Sequence, residues 1–254
     1  MKQYYVCSDV HSFYTELKKT LNEKGFRVNN KEHILILCGD AFDRGSEAVK
    51  MYNFLKKLNK QNRLIYIRGN HEDLLFDCVR ELKENDGVAS SHHYHNRTVD
   101  TVIQFMNENL LDEVLEFIDK NTVDYYETKN YIFVHGWVPY ILQDGHSPNQ
   151  KEGEFSVVMY PKINLNANKE QWEHARWENG MAAWKQGIII PNKTIVCGHY
   201  HCSWGNYNLH YKGSGDFEKD SLFEPFIDKG ITAIDACTAW THKVNVLVIN
   251  EENL

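Results

Sequence analysis

The sequence of 254 residues is long enough for one large domain or two small ones, and 42% of its residues are hydrophobic, so a substantial core can be buried. The formal net charge of -7 argues against a general nucleic-acid-binding protein, because such a surface must offset phosphate charge with Lys and Arg. The N-terminal segment MKQYYVCSDV is too polar for a signal peptide, and no run of about 18 apolar residues is present that would span a membrane. We therefore expect a cytoplasmic protein that binds neither membranes nor nucleic acids in general.

The six cysteines are expected to be reduced. Four of them (Cys7, Cys38, Cys197 and Cys237) lie in or at the end of apolar segments, where a free Cys behaves as a small buried hydrophobic residue. The alternative is a zinc site at CGHYHC, which begins with Cys197 and ends with Cys202, although this spacing fits no common zinc motif.

The first third of the chain alternates apolar runs with amphipathic segments. Strands are predicted at YYVCS, HILILC and RLIYIR, of which HILILC is uniformly apolar, as is typical of a strand buried on both faces. Helices are predicted at SFYTELKKTLNEKG, SEAVKMYNFLKKLNK and EDLLFDCVRELKEN, where apolar residues recur at helical spacing. This order predicts parallel strands joined by right-handed crossovers.

The pattern changes after residue 87. Residues 88–120 are polar and then helical, with TVIQFMNENLLDEVLEFIDK predicted as one or two amphipathic helices. Strands are predicted at YIFVH, TIVCG, ITAID and VNVLVIN. We expect a single domain over residues 1–254, with a helical insertion at about 88–120 and loop-rich insertions at about 137–190 and 202–229.

A polar cluster follows each of five predicted strands. Ligand groups gather at the carboxyl ends of strands in sheets built from parallel strands, so these clusters are expected to converge. Asp, Asn and His offer oxygen and nitrogen donors that suit Mn, Fe or Zn. Two Asp carboxylates carry two negative charges, whereas two divalent ions carry four positive charges. The net positive charge would suit binding of a hydroxide and an anionic phosphoryl group. The clusters are SDVH (Asp9, His11), GDAFDRG (Asp40, Asp43, Arg44), RGNHED (Arg68, Asn70, His71), VHG (His135) and GHYH (His199, His201).

Some of these residues have simpler alternative roles. Asp9 and Asp40 each precede a predicted helix, and Asp is a common helix cap. A further histidine-rich stretch, SSHHYHNR, contains His92, His93 and His95 and is predicted to be a polar surface loop rather than a metal site.

The five motifs, in this order, resemble those of the calcineurin-like metallophosphoesterases over roughly residues 5–201. The Asp-Arg-Gly of the second motif, together with Arg-Gly-Asn-His-Glu in the third, is most similar to the phosphoprotein phosphatase branch and its small bacterial and phage members. The resemblance implies an α/β fold, a four-layer α-β-β-α sandwich with two central mixed sheets flanked by helices. It also implies two divalent metal ions, for which manganese is expected and iron, zinc or nickel are alternatives.

The resemblance further implies metal ligands. Asp9 and His11 resemble ligands of the first metal, and Asp40 resembles the carboxylate that bridges both metals. The residues that resemble ligands of the second metal are Asn70, His135 and His199.

The resemblance implies catalytic roles as well. His71 resembles the general acid that protonates the leaving alkoxide, and Asp43 resembles its partner, which holds the imidazole protonated and oriented. Arg44 resembles the guanidinium that grips phosphate oxygens bidentately. Arg68 adds positive charge near the phosphate, although in much of the family this position is structural.

The sequence departs from the phosphoprotein phosphatase pattern at three places. His201 has a counterpart in phosphodiesterases and nucleotidases, where it binds the first metal, so we expect it to be a further ligand. Arg176, beside Trp177 in EHARWENGM, is predicted to be a second phosphate-binding arginine, although the flanking residues differ from the family pattern. Asp235, in AIDACT, is predicted to be structural because Ala236 and Cys237 depart from that pattern.

Three functions are compatible with these residues. The leading expectation is a phosphomonoesterase that acts on phosphoserine or phosphothreonine in proteins by direct attack of a metal-bridging hydroxide. The alternative is a dinucleoside polyphosphate hydrolase or a phosphodiesterase, either of which accounts for His201 and the divergent loops. The remote alternative is a non-catalytic binding module, which we disfavour because every expected ligand position and the general acid position are filled.

Overall fold

The computed structural model of the chain describes residues 1–145 and 158–254. The helices in these residues are all too short or too polar to cross a bilayer. The strands are β1 (Gln3–Cys7), β2 (His33–Cys38), β3 (Leu64–Ile67), β4 (Thr122–Val123), β5 (Tyr126–Glu127), β6 (Tyr131–Phe133), β7 (Tyr140–Gly145), β8 (Val158–Ile163), β9 (Thr194–Cys197), β10 (Phe226–Asp228), β11 (Ile231–Ala233) and β12 (Leu247–Asn250). The helices are α1 (Tyr14–Glu23), α2 (Ala48–Asn59), α3 (Asn70–Glu84), α4 (Ser91–His95), α5 (Thr98–Asn107), α6 (Leu111–Asn121), α7 (Lys169–Ala175), α8 (Gly180–Lys185), α9 (Cys202–Asn208) and α10 (Thr238–Thr241), and a 3-10 turn covers Glu251–Asn253.

The first sheet has the strand order β12-β1-β2-β3-β4. Strands β1 to β4 run parallel to one another, and β12 pairs antiparallel with β1. All six residues of β2 are buried, as the uniformly apolar run HILILC predicts for a strand covered on both faces. The predicted strand-helix alternation of the first third of the chain is confirmed.

The second sheet has the strand order β10-β11-β9-β6-β5. Its three inner strands, β11, β9 and β6, are parallel, and the two edge strands β10 and β5 are antiparallel to their neighbours. The carboxyl ends of β6 and β9 therefore lie at the same edge of the sheet, which brings the residues that follow them close together.

The buried apolar residues show how the layers stack. One cluster lies between the two sheets and includes Val6 and Ile36 of the first sheet with Phe133 and Val196 of the second. A second cluster joins the other face of the first sheet to helices that include α2, α5 and α6, and a third joins the second sheet to α7 and α8. The predicted α-β-β-α arrangement of two mixed sheets flanked by helices is confirmed. All six cysteines are free and buried, as expected.

The three stretches predicted to be insertions contain more regular structure than the sequence indicated. Residues 88–120 contain α4, α5 and most of α6, as predicted for a helical segment. The two stretches predicted as loop-rich also contain regular elements: β7 and β8 form an antiparallel hairpin, α7 and α8 follow it, and α9 begins at Cys202. Residues 146–157 of the first stretch lie outside the described residues. That the whole chain forms a single domain stays a prediction.

The histidine-rich stretch is a helix rather than a polar loop, so this prediction was wrong. His93 lies in α4, is only 2% exposed, and has its Nε2 3.5 Å from Glu81 Oε1 on α3. The stretch looks uniformly polar in sequence, but the helix gives it two sides: His93 packs inward, whereas His92 and His95 stay exposed.

Candidate active site

The turns after β1, β2 and β9 carry most of the predicted site residues, and their backbone is unusual. A positive φ is uncommon for residues other than Gly, costs about 1–3 kcal/mol in sparsely populated regions, and clusters at functional sites. Six predicted site residues adopt it: Asp9 (51°), His11 (45°), Asp40 (56°), Asp43 (69°), Arg44 (57°) and His199 (63°).

Two glycines allow buried carboxylates to pack directly on the backbone. A Cβ at Gly69 would lie 2.2 Å from Asp40 Oδ1, and a Cβ at Gly198 would lie 2.1 Å from Asp9 Oδ2. Any side chain at either position would displace a carboxylate, because both distances are far below van der Waals contact. The glycines in RGNHED and GHYH therefore position Asp40 and Asp9.

Asp40 belongs to two groups of possible metal ligands. One group contains His11, Asp40 and His71, the other contains Asp40, His135 and His199, and within each group the donor atoms lie within 4.8 Å of one another. Asp40 Oδ1 is 3.3 Å from His135 Nε2, and Asp40 Oδ2 is 3.8 Å from His11 Nε2. Asp40 therefore lies between two sets of nitrogen donors, the position that a bridging carboxylate would take.

Asn70, the first residue of α3, adds an amide oxygen to the second group. Its Oδ1 lies 2.7 Å from His135 Nε2 and 3.0 Å from His199 Nδ1. Asp9 lies beside this second group: its Oδ2 accepts a hydrogen bond from the backbone N–H of His199 at 2.9 Å. Residues from the ends of β1, β2, β6 and β9 and from the start of α3 thus converge, as the sequence predicted.

Two of the histidines are oriented by backbone carbonyls. His11 Nδ1 lies 3.0 Å from the carbonyl oxygen of Phe42, and His135 Nδ1 lies 2.8 Å from that of Cys38. A carbonyl can only accept, so each Nδ1 carries the proton and each Nε2 presents a lone pair to Asp40. This arrangement is characteristic of histidines that bind metals through Nε2.

Burial keeps these imidazoles neutral. It lowers the pKa of His11 and of His135, and nearby Arg44 and His71 lower the pKa of His11 further. Burial lowers the pKa of His199 to about 2. Burial thus favours the neutral ring, which is the form that binds metals.

Asp40 is a buried carboxylate with two other carboxylates, those of Asp9 and Glu72, nearby. Burial raises the pKa of Asp40 well above its usual value, and the neighbouring Asp9 and Glu72 raise it further. Asp9 and Asp40 are each 2% exposed. Buried carboxylates facing neutral imidazoles and an amide oxygen form a donor set that fits divalent cations, because a bound cation offsets charge that the protein leaves close together.

Glu72 holds this arrangement together, and the sequence reasoning gave it no role. Its carboxylate accepts hydrogen bonds from the backbone N–H groups of Asp40 (2.9 Å), Ala41 (2.9 Å) and Gly69 (2.7 Å), and from the hydroxyl of Tyr66 (2.8 Å). It therefore ties the turn after β2 to the start of α3. The sequence did contain a signal for this role. Glu72 lies three residues after Gly69, the N-cap of α3, and a Glu at that position commonly accepts a hydrogen bond from the N-cap N–H.

His71 and Asp43 form a buried pair beside the two ligand groups. His71 Nδ1 lies 2.7 Å from Asp43 Oδ2, and both residues are at most 2% exposed. The other ring nitrogen, Nε2, lies 3.3 Å from Arg44 Nη2 and 3.9 Å from Asp40 Oδ2. Because a carboxylate only accepts, Nδ1 donates to Asp43, and Nε2 faces the guanidinium and the shared carboxylate.

His201 lies next to the site but outside both ligand groups found in the described residues. Its Nδ1 is 4.0 Å from Asp216 Oδ1 and its Nε2 is 4.0 Å from Asp235 Oδ2. Asp235 is 3% exposed, and burial and then Asp9 raise its pKa. Metal binding by His201 stays a prediction.

The two other predicted phosphate-binding arginines are occupied by carboxylates. Arg176 is 3% exposed, and its Nε and Nη1 lie 2.7 Å from Asp73 Oδ2 and 2.8 Å from Asp124 Oδ1. Arg68 Nε lies 2.6 Å from Asp73 Oδ1. These ion pairs favour a structural role for both, and phosphate binding by either stays a prediction. Arg44, by contrast, is placed beside His71.

Substitution of Arg176 should therefore affect stability more than phosphate binding. We expect Arg176→Met to lower the free energy of unfolding by about 1–3 kcal/mol, less than for a fully buried pair because Asp124 is partly exposed. Arg44→Met should leave stability nearly unchanged and raise KM for a phosphate ester. Urea unfolding and steady-state kinetics of both variants test this, and a larger rise in KM for the Arg176 variant would contradict it.

A comparison with known protein families identifies the family of this chain. A family model described as calcineurin-like phosphoesterase matches residues 3–203. This chain belongs to the calcineurin-like phosphoesterase family. The resemblance drawn from the five motifs is confirmed. The family depends on a dinuclear metal centre, which the two ligand groups around Asp40 fit.

Curated relatives match parts of the chain. A symmetrical bis(5'-nucleosyl)-tetraphosphatase of Wigglesworthia glossinidia brevipalpis is 31% identical over 89 residues, which are 34% of this chain and 31% of that protein. An asymmetrical bis(5'-nucleosyl)-tetraphosphatase of Oceanobacillus iheyensis is 24% identical over 144 residues, which are 53% of this chain and 56% of that protein. The chain thus spans about a third to just over half of the length of these relatives.

A solved structure supports the fold. The crystal structure of a cold-active protein-tyrosine phosphatase of a psychrophilic Shewanella species aligns with a TM-score of 0.52 at 14% identity. The alignment covers 99% of this chain and 76% of that chain. At this identity the similarity shows a shared fold.

Proposed function

We propose that His71 protonates the leaving group during phosphoester hydrolysis and that Asp43 holds its ring in place. The observation that carries this proposal is the 2.7 Å contact between His71 Nδ1 and Asp43 Oδ2, with Nε2 directed toward Arg44 and Asp40. Because Nδ1–H is committed to Asp43, Nε2 is the ring atom that gives a proton to the departing oxygen.

The remaining residues are proposed to hold two divalent ions and the phosphoryl group. Divalent ions, when bound, acidify water and offset the charge of phosphoryl oxygens. Arg44 binds those oxygens with its paired N–H groups. Asp40 would serve both metals. Asp9, His11 and His201 would also hold the first metal, and Asn70, His135 and His199 would hold the second.

Water is proposed to attack phosphorus directly, with no phosphorylated side chain. The two groups of possible metal ligands around Asp40 support this, because divalent ions held there would acidify a water molecule next to the phosphoryl group. A single displacement inverts the configuration at phosphorus. Retention of configuration, or a trapped phosphohistidine at position 71, would contradict direct attack.

Dinucleoside polyphosphates are the substrate class that we propose first. The sequence relatives described above are named as bis(5'-nucleosyl)-tetraphosphatases. Aromatic side chains at the site suit stacking on a nucleobase: Trp177 is 48% exposed with its ring 5.6 Å from that of His199, and Tyr200 is 37% exposed. Phosphoproteins are the second candidate, because the Asp-Arg-Gly and Arg-Gly-Asn-His-Glu motifs resemble the phosphoprotein phosphatase branch.

A substrate panel separates these classes. With Mn²⁺ present, we expect kcat/KM to be highest for diadenosine tetraphosphate, lower for a phosphoserine or phosphothreonine peptide, and lowest for bis-p-nitrophenyl phosphate. The His71→Asn protein, purified in parallel, is the control for contaminating phosphatases. A preference for the phosphopeptide would make the chain a protein phosphatase, and a preference for the diester would make it a phosphodiesterase.

Trp177 provides a second test of the nucleotide proposal. We expect Trp177→Ala to raise KM for diadenosine tetraphosphate by about 5- to 150-fold, because a stacked base contributes about 1–3 kcal/mol. The same variant should leave KM for glycerol 3-phosphate, which has no ring to stack, within about twofold if the loss comes from a single base contact. Equal effects on both substrates would exclude stacking by Trp177.

A further inference from the structure

We propose that Thr98 is a positioning residue that fixes Asp43 in the orientation needed by His71, an inference that rests on the role of His71 given above. Thr98 is the first residue of α5, in the helical insertion rather than in any of the five motifs. Its Oγ1 donates a hydrogen bond to Asp43 Oδ2 at 2.8 Å, and His71 Nδ1 donates to the same oxygen at 2.7 Å. Thr98 and Asp43 are each 0% exposed.

The orientation of Asp43 depends on this shared oxygen. The other carboxylate oxygen, Oδ1, is buried and has no hydrogen-bond partner among the residues that the structure describes. Asp43 also has a φ of 69°, so its backbone does not adopt this conformation by local preference. Loss of the Thr98 hydroxyl would leave His71 Nδ1 as the one side-chain donor to this carboxylate among the residues that the structure describes.

Helix α5 and its N-cap residue hold the same turn at further points. Arg97 Nη1 donates to the carbonyl oxygen of Arg44 at 2.7 Å. Gln104 Nε2 donates to the carbonyl oxygen of Gly45 at 3.2 Å, and Gln104 Oε1 accepts from the backbone N–H of Ala48 at 3.1 Å. The insertion therefore positions the turn that carries Asp43 and Arg44, and Thr98 is its contact with the catalytic pair itself.

Kinetics on aryl phosphates with leaving groups of different acidity test the inference. A proton donor matters most when the leaving oxygen is strongly basic. We expect Thr98→Val to lower kcat by about 10- to 100-fold for the most basic leaving group, the range typical when the hydrogen-bond partner of a site residue is removed. The loss should shrink as the leaving group becomes more acidic. Thr98→Ser, which keeps the hydroxyl, should restore most of kcat.

Thr101→Val is the matched control. Thr101 is also buried on α5, but its hydroxyl faces the carbonyl oxygen of Arg97 at 3.5 Å rather than Asp43. It should leave kcat and its leaving-group dependence unchanged. If Thr98→Val folds poorly, Thr98→Ala removes the same hydroxyl with a smaller side chain and carries the same expectation.

A proton NMR measurement decides the inference without turnover. The proton on His71 Nδ1, which is shared with a carboxylate, should give a far-downfield resonance that His71→Asn removes. Thr98→Val should shift or broaden this resonance, whereas Thr98→Ser and Thr101→Val should keep it. An unchanged resonance in Thr98→Val, or a loss of kcat that is equal for every leaving group, would overturn the role of Thr98. If His71→Asn itself showed no leaving-group dependence, the proposed proton donor would fail instead.

Discussion

Replacing His71 by Asn should lower turnover of a phosphate ester by about two or more orders of magnitude. Asn is polar and can still contact Asp43, but it has no acidic proton to give to the leaving oxygen. The metal content should stay the same. Steady-state kinetics combined with metal analysis of the purified protein measures both quantities.

The metal measurement matters because the geometry allows a second role for His71. Its Nε2 lies 3.9 Å from Asp40 Oδ2, in the same group of possible ligands as His11. A variant that loses turnover together with a metal ion would make His71 a ligand. Unaltered turnover would discredit the proton-donor role altogether. Asp43→Asn is the companion variant: it should reduce turnover less than His71→Asn, because the imidazole remains.

Replacing Asp40 by Asn should abolish metal binding and, in the metal-free protein, raise stability. The carboxylate that serves both ligand groups is lost, so both metals should be affected. In the metal-free wild type, burial and the nearby Asp9 and Glu72 raise the pKa of Asp40, which means that the charged form destabilises the folded state. The neutral amide removes this cost.

Thermal unfolding with and without Mn²⁺ measures the effect. A ligand that binds only the folded protein at 100 times its Kd adds about 2.7 kcal/mol, so the Tm of the wild type should rise on metal addition. The Tm of Asp40→Asn should not respond to Mn²⁺. Asp77→Asn, which changes an exposed carboxylate paired with Arg80 on α3, should keep the full metal response. A metal-responsive Asp40→Asn protein would contradict the bridging role.

The convergence of the site could be predicted because it depends on local patterns and one topological rule. Short apolar runs identify β1, β2, β6 and β9, and parallel strands bring their carboxyl ends together. The glycines of the motifs were visible in the sequence as well. That Gly69 and Gly198 are needed for the approach of Asp40 and Asp9 became clear only from the distances.

The positioning contacts could not be predicted because they join distant segments through buried hydrogen bonds. Thr98 is 55 residues from Asp43, and nothing in its neighbourhood distinguishes it from other helix-start threonines. Arg176 illustrates the opposite error: its position beside Trp177 suggested phosphate binding, but Asp73, 103 residues away, and Asp124 occupy its guanidinium. Ion-pair partners of this kind leave no local pattern.

Two helices that were not predicted, α7 and α8, have capping residues that can be recognised in the sequence. Helix α7 begins after Asn168, whose Oδ1 accepts from the backbone N–H of Gln171, while the Gln171 side chain accepts from the N–H of Asn168. This reciprocal pattern is a recognised helix start in sequence. Helix α8 likewise begins after Asn179, whose Oδ1 accepts from the N–H of Ala182. A search for caps would have placed helices in the stretch predicted as loop-rich.

Anomalous diffraction from crystals soaked in Mn²⁺ tests the central claim most directly. The account predicts two anomalous peaks that share Asp40, one beside Asp9 and His11 and the other beside Asn70, His135 and His199. A pocket without peaks, or peaks that leave Asp40 without a metal contact, would contradict it.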